Sequence, residues 1–430
     1  MKNSISLYQD TFVLKDGKSH IVYSPFTNLI SRVPAFPTKG SSLYQACLNK
    51  GFFKPISENV CKRSNWTGFH SLTLLLTRRC NLRCIYCYAS PTSHGSSMPL
   101  ELAIDAVKYF LKQLPDKKIR ITFHGGGEPT LEEETIRKVV AFTEKNRDGR
   151  PVHYLITTNG TASSKFMTWM MTKKFAISIS MDGPSKIQDR NRPLANGNGS
   201  SKIVERNVHL LVSQHYPFTI RLTYSPKDDV VTIIKYFAKL GVKNIHLEPL
   251  FPHGRFYKVA KFGEKSQYNV YPPVKKELLT KFLQAIDTCK KYGIRIYNGH
   301  LIHFTRGIGY FCGAASAHSM LATHDGLLSG CLEVVDRNDK NAKTFALGHY
   351  VKEKHRFNLD KSKIKTMRAR HADLLPKCKN CFARYVCAGG CAVKAVHVFC
   401  NFFEKDLSYC GFTRAIVPIL IKKIARDSGV

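Results

Sequence analysis

Two apolar patterns alternate along residues 71–250 of this 430-residue chain. Short apolar runs typical of strands occupy Ser71–Thr77, Ile119–His124, Val152–Thr157, Phe175–Ser180, Phe218–Tyr224 and Asn244–Leu250. Segments with the apolar spacing of amphipathic helices occupy Leu100–Leu114, Leu131–Lys145, Ser163–Lys174, Lys202–Ser213 and Asp229–Leu240. Strands that alternate with helices predict a parallel α/β sheet built from βα units. Because the crossovers of such a sheet are right-handed, we expect it to curl into a full or partial barrel.

The predicted strands end in unusual loops. A cysteine cluster follows Thr77 at once, and the run Gly125–Glu128 ends the second strand. Asn159-Gly160 ends the third strand, and Asp182-Gly183 ends the fourth. Since ligands bind at the carboxyl ends of the strands in such barrels, these loops predict an active site on one rim.

The pattern changes on both sides of this region. Residues 1–68 contain short β-prone pieces and one helix-like stretch, at Thr11–Leu14, Ser19–Tyr23 and Leu43–Lys50. After residue 300 the alternation gives way to a hairpin-like piece at Ser319–Ser329 and a final amphipathic helix at Thr413–Arg426. We therefore predict three domains: a strand-and-helix cap at 1–68, which is a candidate peptide-binding unit, a barrel at 69–304 and a cysteine-rich domain at 305–430.

Composition narrows the classes of protein. Hydrophobic residues make up 43% of the chain, as in globular proteins. No apolar run approaches the roughly 18–20 residues of a membrane span, and the start of the chain lacks the apolar core of a signal peptide. We therefore predict a cytoplasmic protein with no membrane partner.

The chain is strongly basic, since 66 Lys and Arg against 31 Asp and Glu give a net charge of +35. A solvated cationic surface, an acidic peptide partner and a nucleic acid are all compatible with this balance. The sequence lacks the dense basic stripe with interleaved aromatic residues that is typical of nucleic-acid binding. The charge therefore disfavours nucleic acid and leaves the other two interpretations open.

The 14 cysteines are clustered along the chain. Cys80, Cys84 and Cys87 lie in one short run with the spacing C-x3-C-x2-C. In a long chain without a signal peptide, such clusters indicate metal binding in preference to disulfides. Three thiolates in one loop can hold three irons of a 4Fe–4S cluster and leave the fourth iron open. Zinc sites instead favour paired C-x2-C motifs.

This run resembles the hallmark of the radical S-adenosylmethionine superfamily, C-x3-C-x-φ-C with an aromatic φ. Cys80, Cys84, Tyr86 and Cys87 occupy those places. The resemblance implies that the cysteines hold the catalytic cluster, whose open iron chelates the methionine amino and carboxylate groups, and that Tyr86 lies near the adenine. It also implies that reductive cleavage releases a 5′-deoxyadenosyl radical, which abstracts hydrogen from the substrate.

Two further loops resemble the same superfamily. Gly126, Gly127 and Glu128 match its Gly-Gly-Glu motif, which binds the methionine amino group. The run from Ser180 to Gly183 resembles its Ser-x-Asp-Gly segment. By this resemblance Ser180 bonds the ribose or the carboxylate, and Arg192 pairs with the carboxylate. Asn159 is the candidate cofactor contact of the third loop, although an ordinary turn is an alternative for the third and fourth loops.

The C-terminal cysteines resemble a SPASM domain, the auxiliary-cluster module of radical enzymes that modify peptides and proteins. By the resemblance, one auxiliary cluster takes Cys312, Cys331 and Cys391. The other takes Cys378, Cys381, Cys387 and Cys410. The fourth position of the first cluster stays open, or is filled by His318, by Cys400 or by the substrate. Cys400 is also an alternative to Cys410.

The resemblance spans residues 69–430 and implies a partial (β/α)6 TIM-like barrel that binds three 4Fe–4S clusters and S-adenosylmethionine. We predict an enzyme that abstracts hydrogen from a residue of a ribosomally synthesised peptide and leaves a cross-link or an oxidised residue, with a reductant such as flavodoxin or ferredoxin. Sulfatase maturation is the alternative activity, but Leu332 stands where such enzymes carry aspartate, and Glu333 is the nearest carboxylate. A zinc-binding nucleic-acid-binding protein is the alternative from another class.

Overall fold

The computed structural model describes residues 5–8, 11–24, 29–53, 66–114, 118–250, 276–301, 308–313, 315–378 and 381–427. Two sheets organise these residues: a four-stranded sheet near the N-terminus and an 11-stranded mixed sheet. Within the same ranges, no helix is both long enough and apolar enough to cross a bilayer.

The N-terminal sheet is an antiparallel meander. Its strands are β1 (Ile5–Tyr8), β2 (Thr11–Asp16), β3 (Ser19–Ser24) and β4 (Leu29–Val33). A helix at Ser42–Asn49 follows them. Apolar side chains of β2 and β3 join the main hydrophobic core, namely Phe12, Leu14, Ile21 and Tyr23. This sheet therefore packs against the rest of the protein, and Asp16 forms a 3.4 Å ion pair with Lys422 of the last helix.

The larger sheet begins with seven strands that pair in parallel and in chain order. They are β5 (Ser71–Leu75), β6 (Ile119–His124), β7 (Val152–Thr158), β8 (Ala176–Ser180), β9 (Phe218–Tyr224), β10 (Asn244–Pro249) and β11 (Arg295–Tyr297). Among the described strands, β11 pairs only with β10 and leaves the barrel open at that edge. The predicted α/β partial barrel is confirmed. The prediction stopped at six strands because β11 has only three residues.

Helices cover the outer face of this sheet. They are Leu100–Gln113, Glu133–Lys145, Ser164–Thr172, Ser185–Asn191, Ser201–Ser213, Val230–Lys239 and Lys276–Lys291. Their apolar stripes supply core residues such as Phe110 and Val140. The second predicted helix began at Leu131, but Pro129–Glu132 forms a 3₁₀ turn and the α-helix starts at Glu133.

The two faces of the parallel sheet differ in polarity. In β9, Phe218, Ile220 and Leu222 are buried beneath the helices, whereas the alternate residues Thr219 and Arg221 are partly exposed. Because successive side chains of a strand point to opposite faces, these alternate residues line the barrel interior. The interior is therefore polar, unlike the aliphatic filling of a closed barrel.

The C-terminal region continues the same sheet. Its strands are β12 (Ser319–Thr323), β13 (Leu327–Ser329), β14 (Ala346–Val351) and β15 (Arg356–Leu359). Strand β12 pairs in parallel with β5, and the others follow it as antiparallel hairpins. The cysteine-rich region is therefore joined to the barrel strand that precedes the Cys80–Cys87 loop.

The C-terminal region contains short helices at Ala342–Phe345, Lys361–Arg368, Arg384–Cys387 and Ala392–Phe399 and the long final helix Leu407–Asp427. Cys387 and Cys410 lie within these helices, and Cys391 and Cys400 flank the helix Ala392–Phe399. The final helix begins six residues before the predicted Thr413, because the Asp406 carboxylate accepts a 3.1 Å hydrogen bond from the Tyr409 amide and caps it. The predicted boundary at 304 lies among residues 302–307, outside the described ranges, so the three domain limits stay predictions.

Candidate active site

Cys80, Cys84 and Cys87 lie in an irregular loop that follows β5 at the barrel rim. Backbone hydrogen bonds fasten this loop to the segment after β8: Arg83 N donates to Pro193 O at 2.8 Å, and Ile85 N donates to Asn191 O at 2.9 Å. All three thiols are partly exposed. The first and fourth predicted loops therefore form one unit, which presents three thiols together.

The surroundings of Cys80 and Cys84 disfavour bare thiolates. Burial, followed by the negative charge of Glu128, raises the pKa of the Cys80 thiol to about 12. Burial also raises the pKa of Cys84, although the guanidinium of Arg192 opposes this shift. A bound metal would supply the positive charge that keeps such thiols deprotonated. The donor set of three clustered sulfur atoms fits an iron–sulfur cluster.

The Gly126–Glu128 loop packs directly against the start of the cysteine loop. Glu128 N donates to Arg79 O at 2.8 Å. A Cβ atom on Gly127 would lie 1.9 Å from that same Arg79 oxygen, and Gly126 has a φ of +117°. Glycine is therefore required at both positions, one for close approach and the other for its backbone angle.

We expect Gly127→Ala to destabilise the protein by roughly 1–3 kcal/mol, because its methyl group must displace the Arg79 carbonyl. Gly125→Ala is the matched control, since its Cβ would meet only the Gly127 oxygen at 3.1 Å, without a left-handed backbone angle. Thermal unfolding and iron content after anaerobic reconstitution measure the effect. Equal losses in the two variants would contradict a special role for the Gly127 contact.

Glu128 joins the second loop to the third. Its buried carboxylate accepts hydrogen bonds from Thr158 Oγ1 at 2.7 Å, Asn159 N at 2.7 Å, and Thr130 N and Oγ1. Burial raises the pKa of this carboxyl despite these bonds. Asn159 in turn donates through Nδ2 to Asn81 Oδ1 at 2.8 Å. Asn159 therefore contacts the cysteine loop, while Glu128 positions the strand end that carries Asn159.

Asp182 is the centre of the fourth loop and is fully buried. Its carboxylate accepts from Arg192 Nη2 at 3.2 Å, from Asn191 Nδ2 at 3.1 Å and from the hydroxyl of Tyr86. Burial disfavours the charged guanidinium of Arg192, but the charge of Asp182 outweighs this effect and raises the Arg192 pKa. The Asp182-Gly183 turn is therefore an electrostatic anchor for the motif residues Tyr86 and Arg192.

Arg192 bridges this anchor and the cysteine loop. Its Nη1 lies 4.0 Å from Cys84 Sγ, and its guanidinium carbon lies 5.1 Å from the centre of the Tyr86 ring. Its buried Nε has no hydrogen-bond partner among the described residues. Ser180 ends β8 on the interior face, opposite Arg221 in the register. An acceptor group beside the cysteines would satisfy the Arg192 Nε, which fits a bound cofactor at this rim.

The barrel interior holds two neutral histidines and two charged groups. Burial, followed by the positive charge of Arg221, lowers the pKa of His124 and of His246 to about 4. Burial lowers the pKa of Arg221 itself and raises that of Glu248 to about 7. These shifts couple β6, β9 and β10 across the interior, so the four side chains share one polar chamber.

Cys391 and Cys312 lie within electrostatic range of Cys331, the third thiol of the first predicted group. Burial raises the pKa of Cys331 well above its usual value, and the negative charges of Cys391, Glu333 and Cys312 add to the shift. The three thiols come from different parts of the C-terminal region. Their assignment to one cluster stays a prediction.

The second predicted group is Cys378, Cys381, Cys387 and Cys410. Burial raises the pKa of Cys387, and the charges of the other three thiols raise it further. Among the described residues, no three Cys, His, Asp or Glu side chains converge closely enough to hold a single metal ion.

His318 and Cys400, the two alternative ligands for the first auxiliary cluster, lie in different environments. The His318 Nε2 faces Arg368 Nη1 at 3.2 Å, and its ring packs on His70 with 4.7 Å between ring centres. Cys400 is exposed and ends the helix Ala392–Phe399 in a left-handed conformation. The contact with Arg368 engages one ring nitrogen of His318, which disfavours metal binding through that nitrogen.

The cysteine-rich region meets the rim beside the Cys80–Cys87 loop. Leu75, Ala89 and Val335 form a buried apolar cluster against which Cys87, Tyr88 and Leu332 pack. Burial raises the pKa of Tyr88, and the charges of Cys87, Glu333 and Cys331 raise it further. The first auxiliary thiol group and the rim thiols therefore flank the same tyrosine.

Sequence reasoning missed five charged residues of this region: Arg221, Glu248, Arg370, Lys394 and Asp406. A charged residue between apolar neighbours inside a predicted strand, as in Ile220-Arg221-Leu222, is the signal that could have found the first two. The other three lie in segments without a regular pattern.

Comparison with known proteins identifies the family of the barrel. The Radical SAM superfamily profile matches residues 74–253, from β5 to just past β10. An uncharacterised protein of Methanocaldococcus jannaschii is 34% identical over 188 residues, which cover 43% of this chain and 64% of that relative. The cysteine-type anaerobic sulfatase-maturating enzyme of Clostridium perfringens is 26% identical over 342 residues, which cover 73% of this chain and 85% of that enzyme.

Solved structures share the fold. The native anSMEcpe structure with bound AdoMet has a TM-score of 0.63 at 23% identity and covers 83% of this chain and 99% of its own. Streptococcus suis SuiB, bound to precursor peptide SuiA, has a TM-score of 0.55 at 13% identity and covers 94% and 99%. The sequence match over the barrel and the shared fold agree with the motif resemblance. Residues 74–253 of this chain therefore match the radical SAM superfamily, and its sequence and fold are similar to those of SPASM-type peptide and protein maturases.

Proposed function

We propose that this chain is a radical S-adenosylmethionine peptide maturase. In this proposal a 4Fe–4S cluster is held by Cys80, Cys84 and Cys87. The S-adenosylmethionine site is lined by Tyr86, Gly126, Gly127, Glu128, Asn159, Ser180 and Arg192. When bound, cluster and cofactor supply the radical that abstracts a hydrogen atom from a residue of a ribosomally synthesised peptide. A cross-link or an oxidised residue is the product.

The observation that carries the proposal is the contact between the rim and the cysteine-rich region. Tyr88 is within electrostatic range of both Cys87 and Cys331, and the interior carboxyl of Glu248 is within electrostatic range of Lys394 and Asp406. In this proposal a peptide residue in the polar interior reacts beside the rim thiols and close to the thiols of the cysteine-rich region. Such an arrangement suits an oxidation in which the cofactor at the rim takes the hydrogen atom and an auxiliary cluster takes the remaining electron.

Two auxiliary clusters are part of the proposal, which gives three 4Fe–4S clusters in all. One is held by Cys312, Cys331 and Cys391, and the other by Cys378, Cys381, Cys387 and Cys410. They bind the substrate or accept its second electron. We further propose that residues 1–68 bind part of the peptide, that the peptide is acidic, and that a small redox protein such as flavodoxin or ferredoxin supplies electrons in the cytoplasm.

Formylglycine formation is the second candidate, because the sulfatase-maturating relative aligns over 85% of its length. The position after Cys331 argues against it. Leu332 packs in the apolar cluster beside Tyr88, and the next carboxyl group is that of Glu333. The residue that directly follows the cysteine therefore offers no base here. The Radical SAM match over residues 74–253 counts against the zinc-protein alternative.

The proposal is tested by co-expressing the chain with each short open reading frame that neighbours its gene. Mass spectrometry should find a peptide that has lost hydrogen atoms and kept all its other atoms. Conversion of a cysteine to formylglycine would instead remove sulfur and would favour the second candidate. If the purified protein made no 5′-deoxyadenosine from S-adenosylmethionine and dithionite, both candidates would be wrong.

Cys378→Ala and Cys387→Ala should keep the formation of 5′-deoxyadenosine and stop the conversion of the peptide, because both thiols lie apart from the rim loop. With a deuterated peptide, deuterium should still enter 5′-deoxyadenosine in these variants. Cys289→Ala is the control, since Cys289 is buried in the helix Lys276–Lys291 and belongs to neither group. Full peptide conversion by a folded Cys387→Ala variant would contradict the auxiliary role.

A further inference from the structure

Two arginines near the rim, the buried Arg192 and the partly exposed Arg221, differ in their ion pairing. Arg192 has the carboxylate of Asp182 at 3.2 Å, and the pKa of its guanidinium is raised. Arg221 forms no hydrogen bond or ion pair from its guanidinium with any residue in the described part of the chain, and desolvation lowers its pKa. A cation that has lost much of its hydration and has no such partner is stabilised when an anion binds to it.

The strand neighbours of Arg221 carry no charge at pH 7. Strand register places Ser180 on one side and His246 on the other, and all three side chains point into the interior. His124 and His246 are neutral at pH 7, because burial and the charge of Arg221 lower the pKa of each to about 4. Arg221 is therefore the cation that an anion in this part of the chamber would meet.

Arg221 faces the side of the chamber that the cysteine-rich region covers. Glu248 is the acidic group that most affects it, and Glu248 is itself affected by Lys394 and Asp406 of that region. Arg192, in contrast, lies against Cys84 and Tyr86 in the cysteine loop. Arg192 is therefore held against the cysteine loop, whereas Arg221 is the guanidinium that couples most strongly to the carboxyl of Glu248 on β10.

We propose that Arg221 binds a carboxylate of the peptide substrate and so positions the residue that reacts. The proposal rests on the proposed function and adds to it the chemistry of the recognised residue, an aspartate, a glutamate or a C-terminal carboxylate. A guanidinium binds a carboxylate through two parallel hydrogen bonds, which fixes orientation as well as position. The net charge of +35 favours the approach of an acidic peptide to the same site.

The test uses the full chain, reconstituted anaerobically and saturated with S-adenosylmethionine, and titrates small probes by calorimetry. N-acetylglutamate N-methylamide should bind at least about tenfold more tightly than N-acetylglutamine N-methylamide, which differs only by the charge. N-acetylglycine reports whether a C-terminal carboxylate is preferred. Arg221→Gln should remove the preference for the carboxylate probes, and Arg221→Lys should keep part of it.

Arg120→Gln is the matched control, because Arg120 is exposed near the start of β6, at the opposite end of that strand from His124. It should leave the preference unchanged. Equal binding of the glutamate and glutamine probes to the unaltered protein, with no gain for N-acetylglycine, would overturn the proposal. So would an Arg221→Gln variant that keeps the preference.

The affinity for S-adenosylmethionine distinguishes the two carboxylates that Arg221 could bind, that of the peptide and that of the methionine. Arg221→Gln should change this affinity by less than about twofold and should still form 5′-deoxyadenosine. A loss of tenfold or more, with the probe preference intact, would assign Arg221 to the methionine carboxylate and overturn the substrate role. Absence of 5′-deoxyadenosine already in the unaltered protein would instead count against the proposed function.

Discussion

Replacing Cys80, Cys84 and Cys87 together by alanine is expected to remove about four irons per chain and to abolish the formation of 5′-deoxyadenosine. The three thiols lie in one loop, and burial raises the pKa of Cys80 to about 12, so Cys80 needs a bound cation to stay deprotonated. Without them no other thiol group faces Arg192 and the Gly126–Glu128 loop in the described residues. The auxiliary thiols lie in separate segments and should keep their iron.

Iron and sulfide analysis after anaerobic reconstitution, together with chromatography of the nucleoside product, measures this effect. The double variant Cys47→Ala and Cys289→Ala is the control, because both thiols are buried in apolar clusters away from the rim. It should keep full iron content and full activity. A triple variant that still cleaved S-adenosylmethionine would refute the assignment of the loop.

The barrel could be predicted because the apolar residues of its strands and of its helices follow two regular spacings. Apolar runs such as Ile119–His124 and Phe218–Tyr224 appear in the structure with the predicted limits. Strand β11 could not be predicted, because three residues are too few to establish an alternation. The outer strands of the N-terminal sheet, β1 and β4, were missed for a similar reason, since each has only four or five residues.

The rim could be predicted because the residues that form it are close together in the sequence. Cys80 to Cys87 and Gly126 to Glu128 each form a short motif with a defined spacing. The partners that hold them are distant: Asp182 lies 96 residues from Tyr86, which it contacts. Such contacts depend on how the strand ends meet, and no local pattern encodes them. The ligand sets and the cofactor contacts stay predictions that the proposed variants test.

Arg370 makes the largest set of long-range contacts that could not be predicted from the sequence. Its guanidinium is almost completely buried and donates to five backbone carbonyl oxygens. These belong to Ala388, Gly389, Gly390, Phe402 and Glu404, at 2.7–3.4 Å. Residues 388–390 join Cys387 of one thiol group to Cys391 of the other and have positive φ angles. Arg370 therefore holds the strained connection between the two auxiliary groups.

The charge of Arg370 lies between the same two groups. Burial lowers its pKa, and the negative charges of Cys391, Cys378 and Cys312 oppose this shift. Removing the guanidinium would leave the carbonyl oxygens of the connection without donors in a buried site, at a cost of about 1–3 kcal/mol for each one that finds no other partner. It would also remove a positive charge that stabilises thiolates of both groups.

We therefore expect Arg370→Met to lose about 3 kcal/mol or more of unfolding free energy and most of the auxiliary iron. Arg370→Lys, which keeps the charge but not the planar set of donors, should retain more iron than the methionine variant. Arg206→Met is the control, because Arg206 donates to a single carbonyl, that of Ala162 at 3.1 Å, in the barrel. Its cost should stay near 1 kcal/mol, about that of one hydrogen bond.

Chemical denaturation gives the free energies, and iron analysis with spectroscopy of the reduced clusters gives the occupancy of each site. The rim cluster should persist in Arg370→Met, because Cys80, Cys84 and Cys87 do not contact the 388–390 connection. Formation of 5′-deoxyadenosine should therefore continue while the auxiliary signals disappear. A methionine variant with full auxiliary iron and unchanged stability would show that the connection holds its shape without Arg370, whereas loss of rim iron as well would mean that the two regions fold as one unit around it.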